Sequence, residues 1–139
     1  GGVGVPPLYA LCRKLIAQGA HPQVILGFNR AEEVFCEDEF RALGADVTVT
    51  TADGSYGTRG FVTDAMRERE YTYIYTCGPL PMLRAVDGTA RAGVGGQFSF
   101  EERMGCGFGA CMGCTCETKY GAKRICRDGP VLFRDEIIW

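Results

Sequence analysis

Val24-Ile25-Leu26-Gly27-Phe28 and Val47-Thr48-Val49-Thr50-Thr51 decide the fold. The first is a short continuous apolar run of the kind buried on both faces in a parallel sheet. The second is β-branched and favours extended backbone. Between them, residues 31–43 place Cys36, Phe40 and Leu43 on one helical stripe, and Gly44 follows as a stop signal. Strand, helix, strand in this order predicts a βαβ unit.

The alternation extends both ways. Upstream, Gly1-Gly2-Val3-Gly4-Val5-Pro6-Pro7-Leu8 is a glycine turn followed by prolines, which the first turn of a helix tolerates because its N–H groups have no intrahelical partners. Leu8, Leu11, Cys12, Leu15 and Ile16 then recur with helical period, and the helix closes near Gly19. Downstream, the loop Asp53-Gly54-Ser55-Tyr56-Gly57 leads to a helix over 61–69, and Tyr71 to Thr76 reads as a strand ending at Cys77-Gly78-Pro79. A helix of about twelve residues follows from Pro81. The expectation is an α/β fold with a parallel, doubly wound sheet. A glycine phosphate loop normally follows a strand, so a first strand, and with it a preceding domain, is expected upstream of Gly1.

After Gly93 the pattern changes. Residues 105–114 hold four glycines and three cysteines with no hydrophobic period, which predicts a loop wrapped around something. Thr115 to Tyr120 and Lys123 to Cys126 then read as a hairpin about Gly121-Ala122. The expected division is an α/β nucleotide module over 1–96 and a cysteine-rich lobe over 97–139.

With 139 residues and 46% hydrophobic composition, the chain is of ordinary size for one domain or one domain with an appendage. The net charge of −2 and interspersed charges leave no footprint for nucleic acid and no polybasic run for a membrane surface. No apolar stretch reaches the length of a spanning helix. The eight cysteines are uneven: Cys12, Cys36 and Cys77 are scattered, whereas Cys106, Cys111, Cys114, Cys116 and Cys126 fall within 21 residues.

Cys106-x4-Cys111-x2-Cys114, with Cys126 after eleven more residues, has the plant-type spacing for a [2Fe–2S] cluster. Gly105, Gly107, Gly109 and Gly113 let backbone N–H groups fold closely around inorganic sulfur. A structural zinc site would ask for a second CxxC-like knuckle, and Cys126 stands alone. A disulfide framework suits small secreted proteins without such a core. Cys12, Cys36 and Cys116 are expected to be buried thiols.

Gly1-Gly2-Val3-Gly4 before a helix places bare N–H groups and the positive end of the helix dipole where a pyrophosphate can sit. Asp53-Gly54-Ser55 and Cys77-Gly78-Pro79 both follow strands, at the carboxyl edge where doubly wound sheets bind ligands. Asn29 and Arg30 occupy the usual place for reading the adenosine ribose; Arg30 suits a 2′-phosphate, whereas Glu32 or Glu33 suits free hydroxyls, so NAD and NADP both stay open. His21 and the run Glu37-Asp38-Glu39 read as solvated surface.

The glycine turn of residues 1–8, Thr76-Cys77-Gly78-Pro79, and Glu102-Arg103-Met104-Gly105-Cys106 continuing through Cys114 to Cys126-x2-Gly129-Pro130-Val131 resemble the C-terminal part of the electron-transfer subunits of dihydroorotate dehydrogenase B, in the ferredoxin–NADP reductase superfamily. The resemblance implies an N-terminal FAD barrel, absent from these residues, then the NAD module and the [2Fe–2S] lobe. It implies that dihydroorotate is oxidised at FMN in a catalytic partner, within a cytoplasmic heterotetramer of pyrimidine synthesis, and that electrons pass through cluster and FAD to NAD+. Gly2, Gly4 and Pro6 would then serve the pyrophosphate, Asp53 to Ser55 the adenosine side and Cys77 to Pro79 the nicotinamide, with Cys106, Cys111, Cys114 and Cys126 as ligands. Subunits of NADH-dependent ferredoxin:NADP+ oxidoreductases, hydrogenases and sulfide dehydrogenases share this domain order.

Overall fold

A computed structural model describes residues 1–139. They form two compact units, Gly1–Glu70 and Tyr71–Trp139.

The first unit opens with a 3-10 turn at Gly2–Gly4 that runs into helix α1, Val5–Ala17, with its prolines in the first turn as expected. Strand β1, Gln23–Phe28, pairs in parallel with β2, Asp46–Thr51, and β2 pairs in parallel with the short β3, Thr58–Arg59. Helix α2, Glu37–Ala42, lies between β1 and β2 in sequence, and α3, Val62–Arg67, follows β3. Val5, Cys12, Leu26, Phe28, Phe40, Val47 and Val49 form the core, and Tyr9 meets Phe40 edge-on at 5.4 Å. Burying these side chains supplies the main driving force for the unit, at about 1.5–3 kcal/mol for each large one.

Close approach dictates a glycine at two places. A Cβ on Gly27 would stand 2.4 Å from Val62 Cγ1, so α3 can lie on β1 only there. At Gly57, φ is +64° and a Cβ would fall 2.3 Å from the Val49 carbonyl oxygen.

The second unit pairs β4, Tyr73–Cys77, in parallel with β5, Gly95–Ser99, and β5 antiparallel with β8, Val131–Phe133. Helix α4, Leu80–Thr89, connects β4 to β5 and buries Leu83 and Val86. Between β5 and β8 come the cysteine loop, the hairpin of β6, Thr115–Thr118, with β7, Gly121–Arg124, and the single-turn α5, Ile125–Asp128. One sheet face, Ile74, Thr76, Phe98 and Leu132, is buried, and Trp139 packs on Phe98 and Phe100.

The α/β class, its parallel pairing and the presence of a hairpin agree with expectation, and three local readings need correction. The hairpin turns at Lys119-Tyr120, because Gly121 and Ala122 already pair within β7. The helix expected over 31–43 is a 3-10 turn at Ala31–Glu33 and then α2, because extended backbone at Val34 and φ +63° at Cys36 interrupt the helical backbone. Of the three thiols expected to be buried, Cys12 is in the core, whereas Cys36 and Cys116 are half-buried. Strands β3, β5 and β8 had no usable signal, since Gly95-Gly96 and two- or three-residue strands carry no periodicity. The strands are arranged as two three-stranded sheets, β1-β2-β3 and β4-β5-β8, in which β1 and β4 each keep one unpaired edge. Strand β5 also runs across the division expected at 96/97.

The end of the chain is tied back by two charged side chains. Arg134 Nε donates to Asp87 Oδ1 at 2.6 Å, and its Nη atoms donate to the carbonyls of Asp87, Ala90, Arg91 and Val94 at 2.7–3.3 Å. A cation there is favoured by the helix dipole and gives a charged donor to carbonyls at and just beyond the end of α4. Buried Glu136 accepts from Lys123 Nζ at 2.5 Å and from the Phe133 N–H at 2.8 Å. Burial pushes the Glu136 carboxyl up, and the hydrogen bonds from Lys123 and Phe133 outweigh it, leaving the group below its ordinary 4.5.

Arg134→Leu is expected to cost about 2–3 kcal/mol in denaturant titration, because several acceptors lose a charged donor at once; a loss within ~0.5 kcal/mol would show the fork to be dispensable. A depressed carboxyl stabilises fully above its unfolded value and stops doing so as pH falls through the folded one. Stability should therefore fall below about pH 4.5, and Glu136→Gln, less stable at neutral pH, should fall less steeply there. Parallel pH profiles would contradict this.

Candidate functional site

The cysteine loop has no regular structure between β5 and β6, so its shape comes from contacts of its own. Cys106 Sγ accepts from the Ala110 N–H at 3.2 Å and the Cys111 N–H at 3.5 Å, and Cys114 Sγ from the Cys126 N–H at 3.4 Å. Backbone N–H groups of Cys111, Phe108 and Ala110 bring the Cys106 thiol down to about 6. Hydrogen bonding to Cys114, burial, and the charges of Cys114 and Cys106 raise that of Cys126. Backbone hydrogen bonds thus join the cysteines in two pairs, Cys106 with Cys111 and Cys114 with Cys126. No group of three or more His, Cys, Asp or Glu side chains converges as a site for a single metal ion.

The donor set fits a binuclear iron–sulfur group: four cysteines, two for each iron, with N–H donors aimed at anionic sulfur. Cys114 is buried, Cys106 and Cys126 are half-buried and Cys111 is exposed. A Cβ on Gly105 or Gly113 would stand 3.3 or 3.5 Å from Cys111 Sγ, so both keep backbone close to sulfur. Met112 holds φ +61°, unusual for a residue with a Cβ. Arg124, which carried no signal in the sequence, donates from Nη1 to the Gly109 carbonyl at 2.8 Å and anchors the loop to β7. Met104, Phe108 and Met112 stand exposed around the loop.

At the carboxyl edge of β1 and β2, two of the expected nucleotide loops are joined. Asp53 Oδ1 accepts from the Ser55 N–H at 2.9 Å and Ser55 Oγ at 2.6 Å, and Ser55 Oγ accepts from the Ala31 N–H at 2.8 Å. The Asp53 N–H donates to the Asn29 carbonyl at 3.1 Å. Those two hydrogen bonds from Ser55, followed by the Arg30 charge, hold the Asp53 carboxyl below its usual range. Buried Thr51 fixes the loop's far side by accepting from the Tyr56 N–H and donating to its carbonyl; its β-branched shape had marked it only as strand.

Glu33 Oε2 accepts from the Asn29 N–H at 3.1 Å and from Asn29 Nδ2 at 3.0 Å, and Arg30 lies beside Glu32 and Glu33. Gly2, at φ +52°, has no heavy atom within 4 Å of where a Cβ would stand, and no side chain caps α1. Gly4 is buried, while Val3 and Pro6 are exposed. In the second unit, buried Cys77 ends β4, and Gly78 and Pro79 lead into α4.

Comparison with known proteins matches residues 1–88 to an oxidoreductase NAD-binding domain and residues 101–138 to the iron–sulfur cluster binding domain of dihydroorotate dehydrogenase B. The dihydroorotate dehydrogenase B (NAD(+)) electron transfer subunit of Shouchella clausii is 47% identical over 99% of the chain, and that of Bacillus mycoides 44% over the same share. The chain spans about half the length of these relatives, 55% of each. A solved NADH-dependent reduced ferredoxin–NADP oxidoreductase chain superposes with a TM-score of 0.86 at 33% identity, covering all of this chain and 52% of its own. An NAD-binding α/β region and an iron–sulfur binding region follow one another in one chain that is similar over nearly all its length to dihydroorotate dehydrogenase B electron transfer subunits, and the chain belongs to the oxidoreductase NAD-binding domain family.

Proposed function

We propose that these residues form the NAD- and cluster-binding parts of an electron transfer subunit that serves NAD-dependent dihydroorotate dehydrogenase in cytoplasmic pyrimidine biosynthesis. The observation that carries the reading is the iron–sulfur domain match coinciding with a loop in which the Cys106 and Cys114 sulfurs already accept backbone N–H donors, from Ala110 and Cys111 and from Cys126. Cys106, Cys111, Cys114 and Cys126 hold a [2Fe–2S] cluster, which when bound supplies one-electron transfer between two flavins. Around it, the Ala110, Cys111 and Cys126 N–H groups stabilise anionic sulfur, and Arg124 keeps the loop in place.

Gly2, Val3, Gly4 and Pro6 serve the pyrophosphate of NAD; Asn29, Arg30, Asp53, Gly54 and Ser55 its adenosine; Cys77, Gly78 and Pro79 its nicotinamide. On this reading FAD is held by a domain outside residues 1–139, and these residues alone are expected to be inactive with NADH. The functional division falls at 96/97. The partner is an FMN-containing dihydroorotate dehydrogenase catalytic subunit in a heterotetramer, and exposed Met104, Phe108 and Met112 supply apolar surface beside the cluster for it.

The similarity to the ferredoxin–NADP oxidoreductase chain supports a second reading, in which the same residues serve a related enzyme with another partner. The donor of electrons decides: on the first reading the co-purified complex reduces NAD+ with dihydroorotate, and on the second it responds to reduced ferredoxin instead.

Anaerobically prepared protein is expected to hold two irons and two acid-labile sulfides per chain; one zinc without sulfide would replace this account with a zinc-stabilised binding module. Cys111→Ser should abolish visible absorbance and iron while leaving far-UV circular dichroism close to wild type, because the first unit's core lies wholly within residues 1–70. Cys116→Ser should keep iron and colour. Colour retained in the first variant, or lost in the second, would overturn the ligand assignment.

A further inference from the structure

We propose that Glu33 sets the coenzyme preference of the nucleotide edge by occupying Arg30, so that the adenosine seat accepts free ribose hydroxyls and rejects a 2′-phosphate. The inference rests on the proposed placing of the adenosine ribose at Asn29–Arg30 and Asp53–Ser55. It resolves the opposing pulls of Arg30 and the neighbouring glutamates.

In doubly wound folds a carboxylate after the strand receives the ribose hydroxyls, whereas an arginine there receives a 2′-phosphate. Both types follow β1. An unencumbered Arg30 would offer a planar fork suited to phosphate. Its Nε instead lies 3.5 Å from Glu33 Oε1 and its Nη1 3.9 Å from Glu32 Oε2. Arg30 also acts on the Asp53 carboxyl, which lies across the joined loops. One guanidinium therefore lies beside two carboxylates, with a third within electrostatic reach, and the surplus is negative.

Exposed ion pairs are individually weak, because long side chains lose freedom in forming them. Glu33 is not a free side chain, however. Its Oε2 is held by both N–H groups of Asn29, across the 3-10 turn Ala31–Glu33. Asp53 is held in the same way by Ser55, and Ser55 by the Ala31 N–H. Two fixed carboxylates thus flank Arg30 with their ordering cost already met by backbone hydrogen bonds. An incoming 2′-phosphate, with close to two negative charges, would have to take Arg30 from Glu33 and stand beside Glu32 and Asp53. Neutral ribose hydroxyls meet no such repulsion.

Titration calorimetry of the purified full-length subunit with NAD+ and with NADP+, at low ionic strength, tests this. Wild type should prefer NAD+. Glu33→Gln keeps an amide oxygen for Asn29 and removes the charge from Arg30; NADP+ affinity should rise about tenfold or more, with NAD+ changed by less than about threefold. Adding Arg30→Ala to Glu33→Gln should erase the gain. A wild-type preference for NADP+, or a Glu33→Gln variant without an Arg30-dependent gain, overturns the proposal. If Glu33→Gln weakens both nucleotides equally, Glu33 serves the ribose or the turn itself, and the adenosine placement survives. If Glu33→Gln, Arg30→Ala and Asp53→Asn all leave both affinities unchanged, the adenosine placement fails along with the proposal.

Discussion

Anionic sulfur in a peptide loop must be offset, and the supply of N–H donors to the cysteine sulfurs is the constraint on which this chain's second unit turns. A helix or strand spends its N–H groups on its own ladder, so the segment holding Cys106, Cys111 and Cys114 forgoes both. The glycines follow from that choice: Gly107 and Gly109 hold positive φ, and Gly105 and Gly113 lie beside Cys111 Sγ. A loop of this kind gains little from its own packing and must be held from outside. Arg124 does so from β7, and Cys126 reaches back from α5 to donate its N–H to Cys114.

The remainder of the unit keeps that scaffold attached. Arg134 grips the end of α4, the helix that starts just after Cys77-Gly78-Pro79, while Lys123 and Glu136 link the hairpin to the C-terminal segment. The two proposed functions of this unit, cluster ligation and the nicotinamide end of NAD, therefore share one hydrogen-bonded frame. In the first unit Thr51, Ser55 and Asp53 play the corresponding part, shaping the loops after β1 and β2 before any nucleotide arrives. Such preorganisation lowers the ordering cost of binding.

Much of this was legible in the sequence because the signals were periodic or spaced. The helix of Leu8 to Ile16, the strands at 24–28 and 47–51, and the cysteine spacing each repeat or converge with a physical reason. What escaped was non-periodic. Extended backbone at Val34 and a left-handed angle at Cys36 break an apparently continuous helix, and β8 is a three-residue strand whose partner lies some thirty residues earlier. The holding residues were equally silent: Arg124, Arg134 and Glu136 act through long-range contacts, and charge in a sequence reads as surface by default. Glu33 was visible as a carboxylate, but its hold on Asn29 and Arg30 needed coordinates.

The central claim is that Cys106, Cys111, Cys114 and Cys126 bind one binuclear iron–sulfur cluster. Electron paramagnetic resonance of the anaerobic, chemically reduced protein tests it most directly. The account predicts a rhombic signal that integrates to one unpaired electron per chain and disappears on reoxidation. A sample with full occupancy of metal but no such signal in either redox state would contradict it.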